Sequence, residues 1–204
     1  MIFKQVPVGA FQNFAYIIGD ENAKKAAVVD PAWEVDKLLQ VCADLGLSVV
    51  YVINTHSHSD HVNGNEAVAS RTGAKIVMHA SSRLHKDLAV KDGDAITVGG
   101  GVNVKVLHTP GHCPDHICLL FDGKILTGDT LFIGECGRTD LSGGSASDMY
   151  DSLNKLLKLP DTVEVYPGHD YGRKKSSTIG YERETNYTLK KRTREEFIQF
   201  MGQP

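Results

Sequence analysis

What the chain lacks narrows its class first. Its 204 residues hold four cysteines, Cys42, Cys113, Cys118 and Cys136, scattered and without a Cys-x-x-Cys pair. That spacing supports neither a disulfide framework nor a zinc ribbon, and reduced thiols suit a cytoplasmic protein. The start, Met1-Ile2-Phe3-Lys4-Gln5-Val6-Pro7, has no basic stretch followed by a long apolar run, and no segment approaches the length that crosses a bilayer, so a membrane is not expected as a partner. A formal net charge of −3 argues against nucleic acid as the main partner. No linker, fixed-period repeat or low-complexity segment divides the chain. With 41% hydrophobic residues it can bury a sizeable core, and residues 1–204 read as one domain.

What is present is a run of short strands interleaved with helices. Residues 2–8, 14–18 and 26–30 read as an antiparallel opening. Val35, Leu38, Leu39, Cys42 and Leu45 recur at helical spacing with Gly46 just beyond, which predicts an amphipathic helix over 34–45 with a glycine C-cap and a core position for Cys42. Short helices are expected over 65–71 and 81–88 and a strand over 75–79, with His79 and His85 at the surface or in local hydrogen bonds. Strand 102–107 alternates and belongs to a second sheet. Residues 116–121, the turn Asp122-Gly123 and residues 124–127 form the clearest hairpin. A helix from Ser147, capped by Ser145, ends before Pro160; residues 163–166 are the last strand expected, and Thr193-Arg194-Glu195-Glu196 is a capping box opening a final helix.

The chemistry is concentrated in Asn54-Thr55-His56-Ser57-His58-Ser59-Asp60-His61, directly after the β-branched run at 49–53. A buried strand that ends abruptly in polar residues opens into a loop at its C-terminal end. His56 and His58, two apart, lean to one side of an extended segment; Asp60 and His61 follow where the chain turns and can serve a neighbouring position. Four metal-capable side chains within six residues suit two adjacent metals far better than they suit a solvated loop.

This stretch resembles the His-x-His-x-Asp-His motif of the metallo-β-lactamase superfamily. The resemblance continues through His112 in Leu107-His108-Thr109-Pro110-Gly111-His112, Asp129 in Ile125-Leu126-Thr127-Gly128-Asp129, and His169 in Val165-Tyr166-Pro167-Gly168-His169. It implies an α+β fold, the four-layer αβ/βα sandwich in which two mixed sheets pack face to face with helices outside. It also implies a ligand set of His56, His58 and His112 at one site and Asp60, His61 and His169 at a second, with Asp129 able to bridge. Imidazole and carboxylate suit zinc, iron or manganese alike, so the donors do not name the metal.

Two activities of the superfamily use these side chains. One is the hydroxyacylglutathione hydrolase (glyoxalase II) reaction, thioester hydrolysis with two zinc ions or a mixed Fe/Zn/Mn pair. The other is the persulfide dioxygenase reaction, in which His56, His112 and Asp129 hold a single Fe(II). Cys136-Gly137-Arg138-Thr139-Asp140 and Tyr166-Pro167-Gly168-His169-Asp170-Tyr171 resemble the dioxygenase segments, and the resemblance places Arg138 and Tyr171 against a glutathione moiety with Cys136 lining the pocket. Only 33 residues follow Tyr171, too few for the helical domain of the two-domain hydrolases. Ser57, Asp115 and Tyr187 stand where cysteine, glycine and proline are commoner in the dioxygenases. The expected partner is a small glutathione-type substrate, a homodimer is left open, and a non-catalytic metal-binding domain is the third reading.

Overall fold

A computed structural model describes residues 1–202. In chain order the elements are β1 (Ile2–Val8), β2 (Asn13–Asp20), β3 (Lys25–Val29), α1 (Val35–Asp44), β4 (Ser48–Ile53), α2 (Ser59–Val62), α3 (Asn65–Thr72), β5 (Lys75–His79), β6 (Leu88–Val90) and β7 (Ala95–Val98). There follow β8 (Val102–His108), β9 (Ile117–Phe121), β10 (Lys124–Gly128), β11 (Leu131–Phe132), β12 (Glu135–Cys136), α4 (Ala146–Leu156), β13 (Glu164–Pro167), β14 (Ser177–Thr178), α5 (Ile179–Thr185), a 3₁₀ turn (Tyr187–Leu189) and α6 (Arg194–Met201).

Two six-stranded sheets result, ordered β1-β2-β3-β4-β5-β6 and β14-β13-β10-β9-β8-β7. The first is antiparallel up to β3 and parallel beyond it; the second is antiparallel except where β10 pairs with β13. Both sheets are therefore mixed, as the resemblance implied.

Strand alternation builds the layers. All eight residues of β2 are buried, yet Phe14, Tyr16 and Ile18 face the second sheet while Ala15 and Ile17 face the helices. Strand β9 does the same in mirror image, sending Ile117, Leu119 and Phe121 between the sheets and Cys118 outward towards α4. Helices α1 and α3 cover the first sheet through Leu38, Cys42 and Val68; α4, α5 and α6 cover the second through Met149, Leu153, Ile179 and Phe197. At the end of α1 the Leu47 N–H donates to Cys42 O and the Gly46 N–H to Ala43 O, the Schellman pairing, with Gly46 at φ +65°.

Two elements differ from the reading of the sequence. Residues 81–88 form no helix, because their large apolar residues, Leu84 and Leu88, are both exposed and offer no face to bury. Instead Asp87 brackets β5: its N–H donates to Ile76 O, its carboxylate accepts from Ile76 N, and β6 then adds a parallel edge strand. The strand at Glu164–Pro167 is not the last, since β14 pairs with it. His79 is buried, stacked on His108 with ring centroids 4.0 Å apart, and makes the expected local hydrogen bond, to Ser81 Oγ (2.7 Å); His85 is exposed. The capping box at Thr193 and Glu196 forms as its sequence indicates. Among the described residues no helix is long and apolar enough to cross a membrane.

Leu119 is fully buried between the sheets. Leu119→Ala is expected to cost about 2–5 kcal/mol of unfolding free energy. A urea midpoint shifted by less than the equivalent of about 1 kcal/mol would contradict that packing.

Candidate metal centre

The seven side chains picked out by the sequence meet at one end of the sandwich, each on a segment that leaves a strand. The histidine motif follows β4, His112 lies between β8 and β9, Asp129 follows β10 and His169 follows β13. The approach is tight. A β-carbon on Gly168 would fall on Asp129 Oδ1, and Gly128, at φ +45°, passes against Thr55 and His116. Backbone bonds from Phe14 N to Gly168 O (2.8 Å) and from Gly168 N to Gly128 O (2.8 Å) hold the His169 loop against both sheets.

The donor atoms form two groups. His56 Nε2 and His112 Nε2 lie 3.0 and 2.9 Å from His58 Nδ1. Opposite them, His61 Nε2 is 3.2 Å from His169 Nε2, and Asp60 Oδ2 is 3.6 and 3.4 Å from those two nitrogens. Asp129 stands between: Oδ2 is 3.6 Å from His112 Nε2 and 3.4 Å from His169 Nε2, while Oδ1 is 3.5 Å from His61 Nε2. Tetrahedral zinc with bonds of about 2.0–2.1 Å spaces its ligand atoms about 3.3 Å apart, so the spacing fits a metal.

The other edge of four of the five rings is already used. His112 Nδ1 donates to Arg138 O (2.8 Å) and His169 Nδ1 to Phe11 O (2.8 Å). His61 Nδ1 donates to Asp30 Oδ2 (3.1 Å), and His56 Nδ1 to Thr55 Oγ1 (3.0 Å), whose own hydroxyl is donated to Asp30 Oδ2. These bonds fix the tautomers so that lone pairs point inward. Asp129 Oδ1 is buried and accepts no hydrogen bond. Converging lone pairs beside an orphaned carboxylate oxygen need a cation among them, and this fits the donor set to a metal.

The electrostatics agree. Burial opposes ionisation of Asp129, but His61, His169 and His112 hold its carboxyl far below the usual range. Asp60 is held low in the same way by His169, His61 and Asn13. Burial, reinforced by the surrounding imidazoles, keeps His56 neutral. For His169 burial works against the charge, yet the Asp129 and Asp60 carboxylates push its pKa up to about 10.

Residues 8–169 match the profile of the Metallo-beta-lactamase superfamily. The chain belongs to that superfamily. Its relatives there are metal-dependent enzymes. The structure superposes on that of ETHE1 from Myxococcus xanthus with a TM-score of 0.94 and 38% identity, covering 100% of this chain and 92% of that one. Human mitochondrial persulfide dioxygenase ETHE1 is 35% identical over 195 residues, 93% of this chain and 76% of its own. A hydroxyacylglutathione hydrolase from a Polaromonas strain is 39% identical over 179 residues, 84% of this chain and 67% of its own.

Around this superfamily site stand residues that the sequence did not single out. Asp30, buried at φ +50°, accepts from Thr55 N (2.8 Å) as well as from Thr55 Oγ1 and His61 Nδ1. Asn13 donates to Asp60 O and Oδ2. His116, fully buried, accepts the Asp129 N–H at Nε2 (2.9 Å) and lies 5.0 Å from the His56 ring. The one legible hint was a polar residue at the end of an otherwise apolar strand.

The three residues expected to meet a substrate fare differently. Tyr171 is exposed and stacks on His169 at 4.6 Å, over the rim of the centre. Arg138 touches the centre through its backbone carbonyl, which accepts from His112 Nδ1, while its exposed guanidinium is paired, with Nε and Nη2 each 2.6 Å from the Asp140 carboxylate. Cys136 does not line the pocket. It alternates with Glu135 on β12, so its thiol turns into the apolar cluster beneath α6, 3.8 Å from Met201 Sδ, where burial pushes its pKa up to about 12.

A pKa near 10 leaves His169 protonated in the metal-free protein well above pH 6.5, so a metal entering beside Asp60 and His61 must expel that proton, and affinity there falls as pH falls. Titrating zinc into metal-free protein at pH 8, in buffers of different ionisation enthalpy, is expected to give heats that track the buffer. Heats independent of buffer would mean that no such proton is held.

Proposed function

We propose that the chain is a persulfide dioxygenase that uses one ferrous ion, held by His56, His112 and Asp129, to oxidise glutathione persulfide. In that reaction the persulfide, dioxygen and water give glutathione and sulfite. The observation that carries the reading is the likeness to Myxococcus xanthus ETHE1 along the whole of this chain and nearly all of that one. Bound at this centre, ferrous iron supplies the redox chemistry for attack of dioxygen on sulfur.

The chain's own residues supply position and charge. Arg138 O keeps His112 turned inward, Asp129 stays anionic, and His58, Asp60, His61 and His169 would stand around a bound ion as hydrogen-bonding and charged neighbours. Beside Tyr171 opens a cleft of about 820 Å³ whose lining includes the cations Arg173 and Lys174, the carboxylate Glu135 and the apolar surfaces of Ile133 and Tyr181. A tripeptide thiol with two carboxylates suits such a cleft. Four free, buried cysteines suit a reducing, cytoplasmic compartment.

The second reading is thioester hydrolysis with two zinc ions. It is favoured by the completeness of the Asp60, His61 and His169 group and by the placement of Asp129 between the two groups. Protein purified without oxygen and loaded with ferrous iron is expected to consume oxygen and form sulfite from glutathione persulfide, and to lose this with zinc. Hydrolysis of lactoylglutathione by the zinc form, with no oxygen consumed by the iron form, would install the hydrolase instead.

Arg138 acts on binding in this reading. Because its guanidinium is exposed and already paired with Asp140, a substrate carboxylate must share it, so Arg138→Ala is expected to raise KM roughly two- to fivefold with little change in kcat. An unchanged KM for a glutathione-based substrate removes Arg138 from the site.

A further inference from the structure

On the far side of the second sheet, α4, the 3₁₀ turn and α6 enclose a cavity of about 460 Å³ that takes no part in the metal centre. Small-molecule sites span about 300–1,000 Å³. Its wall sets the apolar Leu153, Leu157, Leu189 and Phe197 beside the polar Asn154 and Thr188, and it is also lined by Arg183, Lys190, Lys191 and Arg192, with no aspartate or glutamate among the lining residues. The segment bordering the cavity is Lys190-Lys191-Arg192-Thr193, whose charged ends stay in water and cannot fill an apolar space.

The four cations are not equivalent. Arg183 donates to Leu157 O (2.6 Å) and pairs with Asp161, so its charge is engaged within the fold. Arg192 is held by Nη1 to the carbonyls of Tyr187, Thr188 and Lys190 (3.1, 3.2 and 3.3 Å), with its guanidinium 4.1 Å over the Phe200 ring. Among the described residues its Nε and Nη2 meet no acceptor, which leaves a fixed fork of donors. The lysine ion pairs among the described residues belong to Lys37, Lys124 and Lys155, so Lys190 and Lys191 have none.

A purely inorganic anion would leave the leucine and phenylalanine wall wet, and a neutral apolar molecule would leave the cations uncompensated. We propose that this cavity binds an aliphatic carboxylate of medium chain length, its chain against Leu153, Leu157, Leu189 and Phe197 and its carboxylate at Arg192 beneath Lys190 and Lys191. The site is separate from the cleft beside Tyr171 and stands whichever reaction the metal centre performs.

Decanoate, titrated calorimetrically into the metal-loaded full chain, is the direct probe. Saturable binding is expected, weakened at least tenfold for decanol, and not reproduced by inorganic phosphate at the same concentration. The double variant Lys190→Glu, Lys191→Glu is expected to weaken decanoate at least tenfold, and Lys190→Gln, Lys191→Gln to fall between. Arg173→Glu with Lys174→Glu, in the other cleft, should leave it unchanged. The proposal is overturned by absence of saturable binding, by equal affinity for decanol, by a glutamate variant of native melting temperature that binds as tightly as the parent, or by loss of binding in the Arg173, Lys174 variant.

Discussion

A single buried carboxylate, that of Asp30 at the end of β3, accepts from Thr55 N, Thr55 Oγ1 and His61 Nδ1, and thereby fixes where the histidine motif stands relative to the first sheet. Through Thr55 it also sets the ring of His56, so members of both donor groups take their orientation from it. The residue occupies the left-handed region of φ, which a side chain adopts at a cost of order 1–3 kcal/mol when the surrounding contacts require it. Here three donors to a buried carboxylate supply that requirement. The Thr55 carbonyl, accepting from Ile117 N (2.7 Å), carries the same anchor across to the second sheet.

The metal centre and the fold are coupled by charge. Three carboxylates and six imidazoles stand within a few ångströms at this end of the sandwich, and without a cation their lone pairs oppose one another while His169 takes up a proton. A bound metal replaces that proton and those repulsions, so occupancy adds to folding stability by mass action. The position of Asp129 between the two groups explains why one donor set is compatible with one ion or two.

The C-terminal segment serves the site indirectly. Glu182 accepts from Gly134 N (2.8 Å) and Asn186 donates to Glu135 O (3.1 Å), so α5 and the turn after it brace the β11–β12 hairpin that directly follows Asp129 and walls the cleft beside Tyr171. The same turn forms one side of the cavity under α6. Short local elements thus connect two separate openings beside the second sheet.

By itself the sequence determined the layers and the donor set. Period-two alternation in β8, the apolar stripe and glycine end of α1, and the capping box of α6 are local patterns whose physics acts within a few residues, and His56, His58, Asp60 and His61 declare themselves by spacing alone. Likeness to a known superfamily then supplied His112, Asp129 and His169. Tertiary structure decided the rest. Asp30 looked like a strand end and His116 like the start of a hairpin, because their roles rest on partners 25 and 13 residues away. Cys136 lay in a family-like segment, but the pairing of β12 with β11 turned its thiol towards α6. Residues 81–88 read as a short helix, yet a bracket to β5 outweighed a helix with no face to bury. Local pattern fixes an element's period and its ends; which group a side chain meets depends on contacts between segments far apart in the chain, and those exist only after the sheets have packed.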